Sequence, residues 1–148
     1  MRPHTDELRV ASFADLDSST LYALLRLRSE VFVVEQECAY LDIDGRDTEP
    51  ATRHIWIAQA GTPIAYLRVL GEPDGGMRIG RVVVAKVARG AGVAGRLMEA
   101  ALAVVGARPS VLDAQAHLAD FYARFGYKIS GDGFVEDGIP HVPMARPA

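Results

Sequence analysis

Residues 88–96, ARGAGVAGR, decide the fold, and within them residues 90–95 satisfy the pattern G-x-G-x-x-G. Glycines let successive backbone N–H groups converge, and a helix that begins after such a loop adds the positive end of its dipole. Apolar residues at helical spacing follow Gly95 and predict that helix. The stretch therefore predicts an anion site for a phosphate, with a simple turn that needs positive φ as the alternative.

The composition is that of an ordinary globular protein. The chain has 148 residues, 49% hydrophobic and 24% charged, with a formal net charge of −3. This length predicts one domain over residues 1–148, which buries roughly 70% of the surface of the unfolded chain. Without a long apolar segment, a secretory signal or a second cysteine beside Cys38, we expect a cytoplasmic protein with no membrane partner. Scattered basic residues argue against nucleic acid as a partner.

Hydrophobic periodicity predicts the element order β-α-β-β-β-α-β-α-β-β. The predicted strands cover residues 8–13, 54–60, 63–70, 77–85 and 110–115, with YKIS and HVPMA as the last two. Three helices are predicted. The first begins at a cap among residues 18–20, the second follows Gly95, and the third covers residues 117–126. The first helix should fray near residues 33–34, and the first hairpin should turn at Gly61-Thr62. This order indicates a mostly antiparallel sheet with a βαβ unit in its second half.

A dinucleotide-binding loop is the first alternative that the glycine pattern raises. Asp113, at the end of the next predicted strand, lies near the place of a ribose-binding acid. Against this, residues 85–89 separate the valine run from Gly90, whereas a Rossmann turn leaves its strand directly. Hairpin-like sequence precedes the motif, and too little chain follows it for a doubly wound sheet. A P-loop is excluded because no Gly-Lys-Ser/Thr follows.

Residues 89–94, RGAGVA, resemble the Q/R-x-x-G-x-G/A signature of the GNAT N-acetyltransferases, whose loop amides hold the pyrophosphate of coenzyme A. Four longer stretches resemble the ElaA-type members: LYALLRLRSEVFVVEQECAYLDIDGRD, IGRVVV, AQAHLADFYARFGY and EDGIPHVPM. The resemblance implies a GNAT fold, an α/β (α+β) architecture whose mixed, mostly antiparallel sheet contains a βαβ acetyl-CoA-binding unit. It also implies direct transfer of an acetyl group to a primary amine of a small molecule or protein, with no acyl-enzyme on Cys38. We expect no metal and a monomer or homodimer, and edge strands near the C-terminus could pair between subunits.

The same resemblance implies a set of site residues. Tyr122 occupies the position of the tyrosine that protonates the departing thiolate, and Gln115 stands where many relatives have a cofactor-contacting Asn. Glu35 and His141 are expected in the acceptor site as catalytic residues. The general base stays open among Glu35, His117, Glu136 and His141. The implied cofactor-binding residues are Val82, Val83, Val84, Arg89, Gly90, Ala91, Gly92, Val93, Ala94, Gly95, Arg96, Gln115 and Tyr122.

Several features have a second interpretation. The acidic run Glu35, Glu37, Asp42, Asp44, Asp47 and Glu49 either attracts a cationic amine or is a solvated loop, with Arg28 and Arg46 as available partners. His54 and Trp56 either border the site or belong to the core. Tyr122 also fits an amphipathic stripe that only packs. The competing function is a non-catalytic acyl-CoA-binding or sensor module.

Overall fold

The strands of this protein form one continuous sheet, and few helices interrupt their order along the chain. The computed structural model describes residues 6–37 and 41–148, so Cys38 lies outside the described residues. The described strands are β1 (Glu7–Ala11), β2 (Arg53–Gln59), β3 (Thr62–Gly71), β4 (Met77–Val84), β5 (Ser110–Gln115), β6 (Lys128–Ile129), β7 (Phe134–Glu136) and β8 (Ile139–Arg146). They follow the order β1-β2-β3-β4-β5-β8-β6 across the sheet, and β7 pairs with β8.

In the described part of the chain, three α-helices pack against this sheet. They are α1 (Ser18–Arg28), α2 (Val93–Val105) and α3 (Ala119–Ala123). The segment predicted as one helix over residues 117–126 is divided, because a short 3₁₀ turn, Ala116–Leu118, precedes α3. Gly126, with φ of 92°, ends this segment as predicted. No helix in the described ranges is long and apolar enough to cross a bilayer.

The predicted fold class is confirmed. Among the described strands, β4 and β5 run parallel and are connected through α2, while all other pairs are antiparallel. β4, α2 and β5 therefore form the predicted βαβ unit within a mostly antiparallel sheet. This topology excludes the dinucleotide alternative, because a doubly wound sheet is mostly parallel.

The two faces of the sheet enter separate cores. On the α2 face, Leu97 and Met98 of α2 are fully buried against the strands, and α3 packs on the same face. On the α1 face, Leu24 and Leu27 of α1 pack in a second cluster that includes Val83. Because side chains alternate along a strand, neighbouring strand residues point to opposite faces. Each functional side chain can therefore be assigned to one face.

The start and end of α1 differ from the prediction. The cap is Asp17 and not one of residues 18–20, because the Asp17 carboxylate accepts a hydrogen bond from the Thr20 N–H at 2.7 Å. Aspartate satisfies a first-turn N–H as well as serine does. The predicted fraying near residues 33–34 is wrong as well, because the helix continues there as a π-helical turn, Ser29–Glu35.

Two hairpin turns also differ from the prediction. The first hairpin turns at Ala60 and Gly61, with φ of 51° and 82°, and not at Gly61-Thr62. Positive φ at both central residues is what a type I′ turn requires. The predicted order lacks β7, which joins β8 across Asp137 and Gly138, with φ of 52° and 77°.

Buried arginines bind the acidic segment after α1 to the sheet. Arg28, 1% exposed, donates through Nε to Asp42 and through Nη1 to Asp47, both at 2.9 Å. Arg68 of β3, 3% exposed, donates to the same Asp47 oxygen at 3.0 Å and to both carboxylate oxygens of Asp44. The interpretation of the acidic run as a solvated loop is therefore wrong for these three aspartates, and Arg28 is confirmed as a partner.

Charge is balanced within this buried ionic cluster, which consists of Arg28, Asp42, Asp44, Asp47, Arg68 and Arg81. Arg81 of β4 supplies the third guanidinium, with its Nε 2.8 Å from an Asp42 carboxylate oxygen. Burial alone raises the pKa of Asp47, but hydrogen bonds from Arg28 and Arg68 outweigh it and lower that pKa. Three guanidiniums neutralise three carboxylates, so the cluster carries no excess charge that would attract an amine.

Arg46 binds the outer part of the acidic run, as predicted. Its Nε donates to Glu49 at 3.1 Å, and its Nη1 lies 3.5 Å from Glu72. Its Nη2 also donates to the Gly71 carbonyl at 3.2 Å. The acidic segment is therefore attached to the end of β3 as well as to the middle of the sheet.

His54 and Tyr66 form a hydrogen-bonded pair beside the buried ionic cluster. His54 Nε2 lies 2.9 Å from the Asp47 carbonyl, which only accepts, so Nε2 carries the hydrogen. His54 Nδ1 then accepts from the Tyr66 hydroxyl at 2.7 Å. Burial lowers the pKa of His54 and keeps the ring neutral. His54 and Trp56 are both buried, which confirms their interpretation as core residues.

The cluster yields a stability prediction, and an exposed arginine two residues earlier in α1 provides the matched control. Arg28→Ala removes one of the two guanidiniums that contact each of Asp42 and Asp47 and leaves the cluster with one excess buried negative charge. It should lower the free energy of unfolding by about 3–5 kcal/mol. Arg26→Ala removes an exposed pair with Glu30 (2.9 Å) and should cost about 0.3–0.5 kcal/mol. Urea unfolding of both variants measures the difference, and equal losses would contradict the assignment of Arg28 as a buried anchor.

Candidate active site

The site begins where β4 and β5 separate. Within the described residues these strands share two residue pairs, Met77 with Ser110 and Arg78 with Val111. Beyond them, β5 pairs with β8 alone and β4 with β3 alone. The register of β4 also shifts at a bulge, where Arg81 has φ of 55°. A bulge increases local twist and bends its strand, so the two strands diverge.

A cavity of about 750 Å³ occupies this gap. It reaches the α2 face, where Val82 and Val84 border it, and the α1 face, where Arg78 and Asp113 border it. All three predicted catalytic residues line it, as do the other two candidates for the base: Tyr122, Glu35, His141, His117 and Glu136. One cavity therefore opens to both faces of the sheet through the gap between β4 and β5.

Most of the predicted cofactor-binding residues meet at this cavity. Those that line it are Val82, Val84, Arg89, Gly90, Gly92, Val93, Ala94, Gly95, Gln115 and Tyr122. Val83 does not, because its side chain is buried in the α1-face core. Ala91 is exposed outside the lining, and Arg96 is paired with Asp6 at 3.2 Å.

The glycine loop presents open backbone to the cavity. Gly90 and Gly92 have φ of 86° and 74°, and a Cβ built on either meets no atom within 4 Å. Gly92 is also the N-cap of α2, whose first N–H groups have no intrahelical acceptor. The loop therefore combines converging amides, the positive end of a helix dipole and free space, which together suit a phosphate.

A bidentate ion pair attaches this loop to the end of the π-helical turn. Arg89 donates through Nη1 and Nη2 to the two carboxylate oxygens of Glu35, at 2.7 and 2.9 Å, and through Nε to the Val84 carbonyl at 3.0 Å. The Arg89 guanidinium lowers the pKa of Glu35. A carboxylate held in its charged form is a poor proton acceptor, so Glu35 suits a positioning role better than that of general base.

The environment of Tyr122 keeps its hydroxyl protonated. It is 6% exposed, and its ring packs edge-on against Phe121 with centroids 5.0 Å apart. Burial, with a smaller contribution from Tyr127, raises the pKa of Tyr122 to about 12. The phenol therefore stays protonated at neutral pH while it borders the cavity.

His141 is oriented by its own strand and by β7. Its Nδ1 lies 2.7 Å from the Ile139 carbonyl, so Nδ1 carries the hydrogen and a neutral ring leaves Nε2 as the acceptor. The Phe134 ring stacks on the imidazole at 5.6 Å and 13°. His141 lies directly opposite Gln115 in the β5–β8 register, which places both on the α1 face.

Comparison with known proteins identifies the family. A family model described as acetyltransferase (GNAT) domain matches residues 26–147. The chain belongs to the GNAT acetyltransferase family. Protein ElaA of Escherichia coli is 44% identical over 139 residues, covering 90% of this chain and 91% of ElaA. A UPF0039 protein of Mycobacterium tuberculosis is 50% identical over 147 residues, covering 97% and 94% of the two chains.

Solved structures of GNAT proteins confirm both the fold and the ElaA-type resemblance. The crystal structure of Escherichia coli ElaA matches with a TM-score of 0.91 and 41% identity, covering 96% of this chain and 99% of that one. An acyl-CoA N-acyltransferase from Pseudomonas aeruginosa matches with a TM-score of 0.88 and 42% identity, covering 95% and 99%.

Other residues of this GNAT cavity escaped prediction. Arg68 and Gly80 line it from β3 and β4, and Phe134 orients His141. Arg68 sits in an apolar strand without a motif, and its aspartate partners are distant in sequence. The dipeptide Asp137-Gly138 between FVE and IPH is a hairpin signature that would have located Phe134.

Proposed function

We propose that this protein is an acetyl-CoA-dependent N-acetyltransferase that transfers the acetyl group directly to a primary amine of a small molecule or protein. The observation that carries the proposal is the continuous cavity from the glycine loop on the α2 face to His141 on the α1 face. Membership of the GNAT family supports it, as does the similarity to a P. aeruginosa protein described as an acyl-CoA N-acyltransferase.

The α2 face holds the cofactor in this proposal. The pyrophosphate binds at Gly90, Gly92 and the first N–H groups of α2, where the loop backbone is open. The pantetheine arm follows β4 along Val82, Val83 and Val84, because the β4 backbone beyond Arg78 has no partner strand on the β5 side. Val82 and Val84 border the arm with their side chains, and Val83 contributes only backbone.

The chemistry then needs two proton transfers. The acceptor enters this step as a neutral amine, after its ammonium form has lost one proton to solvent. Its nitrogen attacks the thioester carbonyl carbon on the α1 face, and His141 Nε2 accepts the second proton from that nitrogen as the amide forms. The C–N bond forms, the C–S bond breaks, and the thiolate of coenzyme A leaves. Tyr122 donates its hydroxyl proton to that thiolate on the α2 face. Glu35 acts through Arg89, whose bonds hold the glycine loop against β4.

Ligand-dependent melting tests the cofactor. Acetyl-CoA and coenzyme A, each at about 100 times Kd, should stabilise the protein by about 2.7 kcal/mol, because a ligand that binds only the folded state shifts unfolding by mass action. NAD at the same concentration serves as the control and should leave Tm unchanged. A Tm increase with NAD and none with coenzyme A would contradict the proposal. A shift without amine acetylation would favour the non-catalytic acyl-CoA-binding module.

A substitution in the loop tests where the pyrophosphate lies. Gly92→Val places a side chain in the open space before the loop and should raise the KM for acetyl-CoA about ten-fold or more, a loss of about 1.4 kcal/mol. Gly75→Val is the control, because Gly75 also has positive φ and open surroundings but does not line the cavity. Steady-state kinetics at saturating amine should separate the two variants, and equal KM values would place the phosphate elsewhere.

A pair of tyrosines tests the proton donor. Tyr122→Phe should lower kcat by about 10²–10⁴-fold with little change in the KM for acetyl-CoA, because the thiolate loses its acid. Tyr127→Phe is the control: its buried hydroxyl binds Ser110 at 2.7 Å and does not line the cavity, so its loss should cost only stability. Because the pKa of Tyr122 is about 12, wild-type kcat should not decline from Tyr122 ionisation between about pH 8 and 10. Full activity of Tyr122→Phe would exclude the role.

A further inference from the structure

On the α1 face, the wall of the cavity lacks a side chain at Gly80. Met77 and Ile79 point into the α2-face core, so Arg78 and Gly80 point to the α1 face. Gly80 pairs with Arg68 across β3 and β4 and lines the cavity. A Cβ built on Gly80 meets no atom within 4 Å, so the space above its backbone is empty of protein atoms.

Three arginines surround the unfilled position at Gly80. Arg78 and the bulged Arg81 flank Gly80 along β4, and the buried Arg68 lies opposite. The apolar side chains Phe32 and Leu70 also line the cavity and are 9% and 2% exposed. The missing side chain at Gly80 leaves a notch in the cavity wall beside this apolar surface, and the methylene groups of a substrate can fill it.

Charge at the notch favours a cation. Arg68 and Arg81 are neutralised by the aspartates of the buried ionic cluster. Arg78 is shared by two carboxylates, Glu72 at 3.2 Å and Asp113 at 3.3 Å. Glu136 also lines the cavity and has no cationic partner within 4 Å in the described part of the chain. Carboxylate therefore exceeds guanidinium on this face, which attracts an ammonium group.

We propose that the acceptor is a cationic primary amine at the end of an unbranched alkyl stem, and that the stem lies over Gly80 on the α1 face. Asp113 and Glu136 attract the ammonium group, and Gln115 and His141 stand beside it at the gap. This inference rests on the proposed acetyltransferase function. A linear diamine and a lysine side chain share this chemistry, and the two are distinguished by the substrates used in the test.

A graded series at Gly80 tests the notch. Gly80→Ala, Gly80→Val and Gly80→Leu are assayed by thiol release from acetyl-CoA with 1,5-diaminopentane and, separately, with a lysine-containing peptide. Acceptor kcat/KM should fall as the side chain grows, by about ten-fold or more for leucine, while the melting shift with coenzyme A is retained. Thr62→Leu is the matched control, because it adds the same side chain at an exposed end of β3 outside the cavity. The better of the two substrates tells a small-molecule acceptor from a protein acceptor.

A second pair of variants tests the charge. Asp113→Asn should raise the KM for the amine several-fold with little effect on kcat, because it removes attraction and not chemistry. Asp120→Asn, an exposed aspartate outside the cavity lining, should have no effect.

A labelling experiment tests the notch without relying on turnover. In a Gly80→Cys, Cys38→Ser protein, the cationic reagent 2-aminoethyl methanethiosulfonate should react faster than the anionic 2-sulfonatoethyl reagent. Equal or reversed rates would overturn the cationic class. Coenzyme A binding with acetylation of neither amine, or with equal kinetics across the Gly80 series, would overturn the alkyl-amine assignment and leave the cofactor assignment intact. Failure of coenzyme A to shift Tm would instead overturn the proposed function itself.

Discussion

The separation of β4 from β5 after two residue pairs is the constraint on which the rest of this structure depends. If β4 and β5 stayed paired along their whole length, hydrogen bonds to β5 would occupy the backbone groups of β4 on that side. No opening would then connect the two faces of the sheet. Because β5 pairs with β8 and β4 with β3, the gap costs each strand only one of its two neighbours. The bulge at Arg81, with its positive φ, bends β4 at this point. The cavity, the exposed backbone and the approach to α2 follow from that bend.

The buried ionic cluster holds the other side of the gap in place. Desolvating Arg28 and Arg68 is costly, and attraction to three aspartates offsets that cost only with close, multiple hydrogen bonds. These contacts fix the long acidic segment to β3 and β4. Arg81, which anchors it on β4, is the residue next to Gly80. Since the cluster is neutral as a whole, the charge that a substrate meets is set by residues outside it, such as Asp113 and Glu136.

The fold and the cofactor loop were predictable because their evidence is local. The glycine pattern, the apolar spacing of α2 and the strand over residues 110–115 each lie in a short window, and the structure contains all three. Val83 shows where local evidence ends. Strict alternation from Met77 places Val83 on the α2 face, but the extra residue at Arg81 reverses the alternation and turns Val83 to the α1 face. Arg68 and Phe134 escaped because their partners come from distant segments.

The two proposed proton transfers lie on opposite faces of the sheet, and their environments have opposite properties. Tyr122 is surrounded by apolar side chains, which disfavour its anion and keep the proton on oxygen at neutral pH, so a proton given to the thiolate is regained from solvent. His141 donates Nδ1–H to a carbonyl, which leaves the lone pair of the neutral ring on Nε2. The proton removed from the amine and the proton given to sulfur are therefore different protons, held by different groups. Direct transfer within a ternary complex needs this arrangement, because both groups act while acceptor and thioester occupy the gap together.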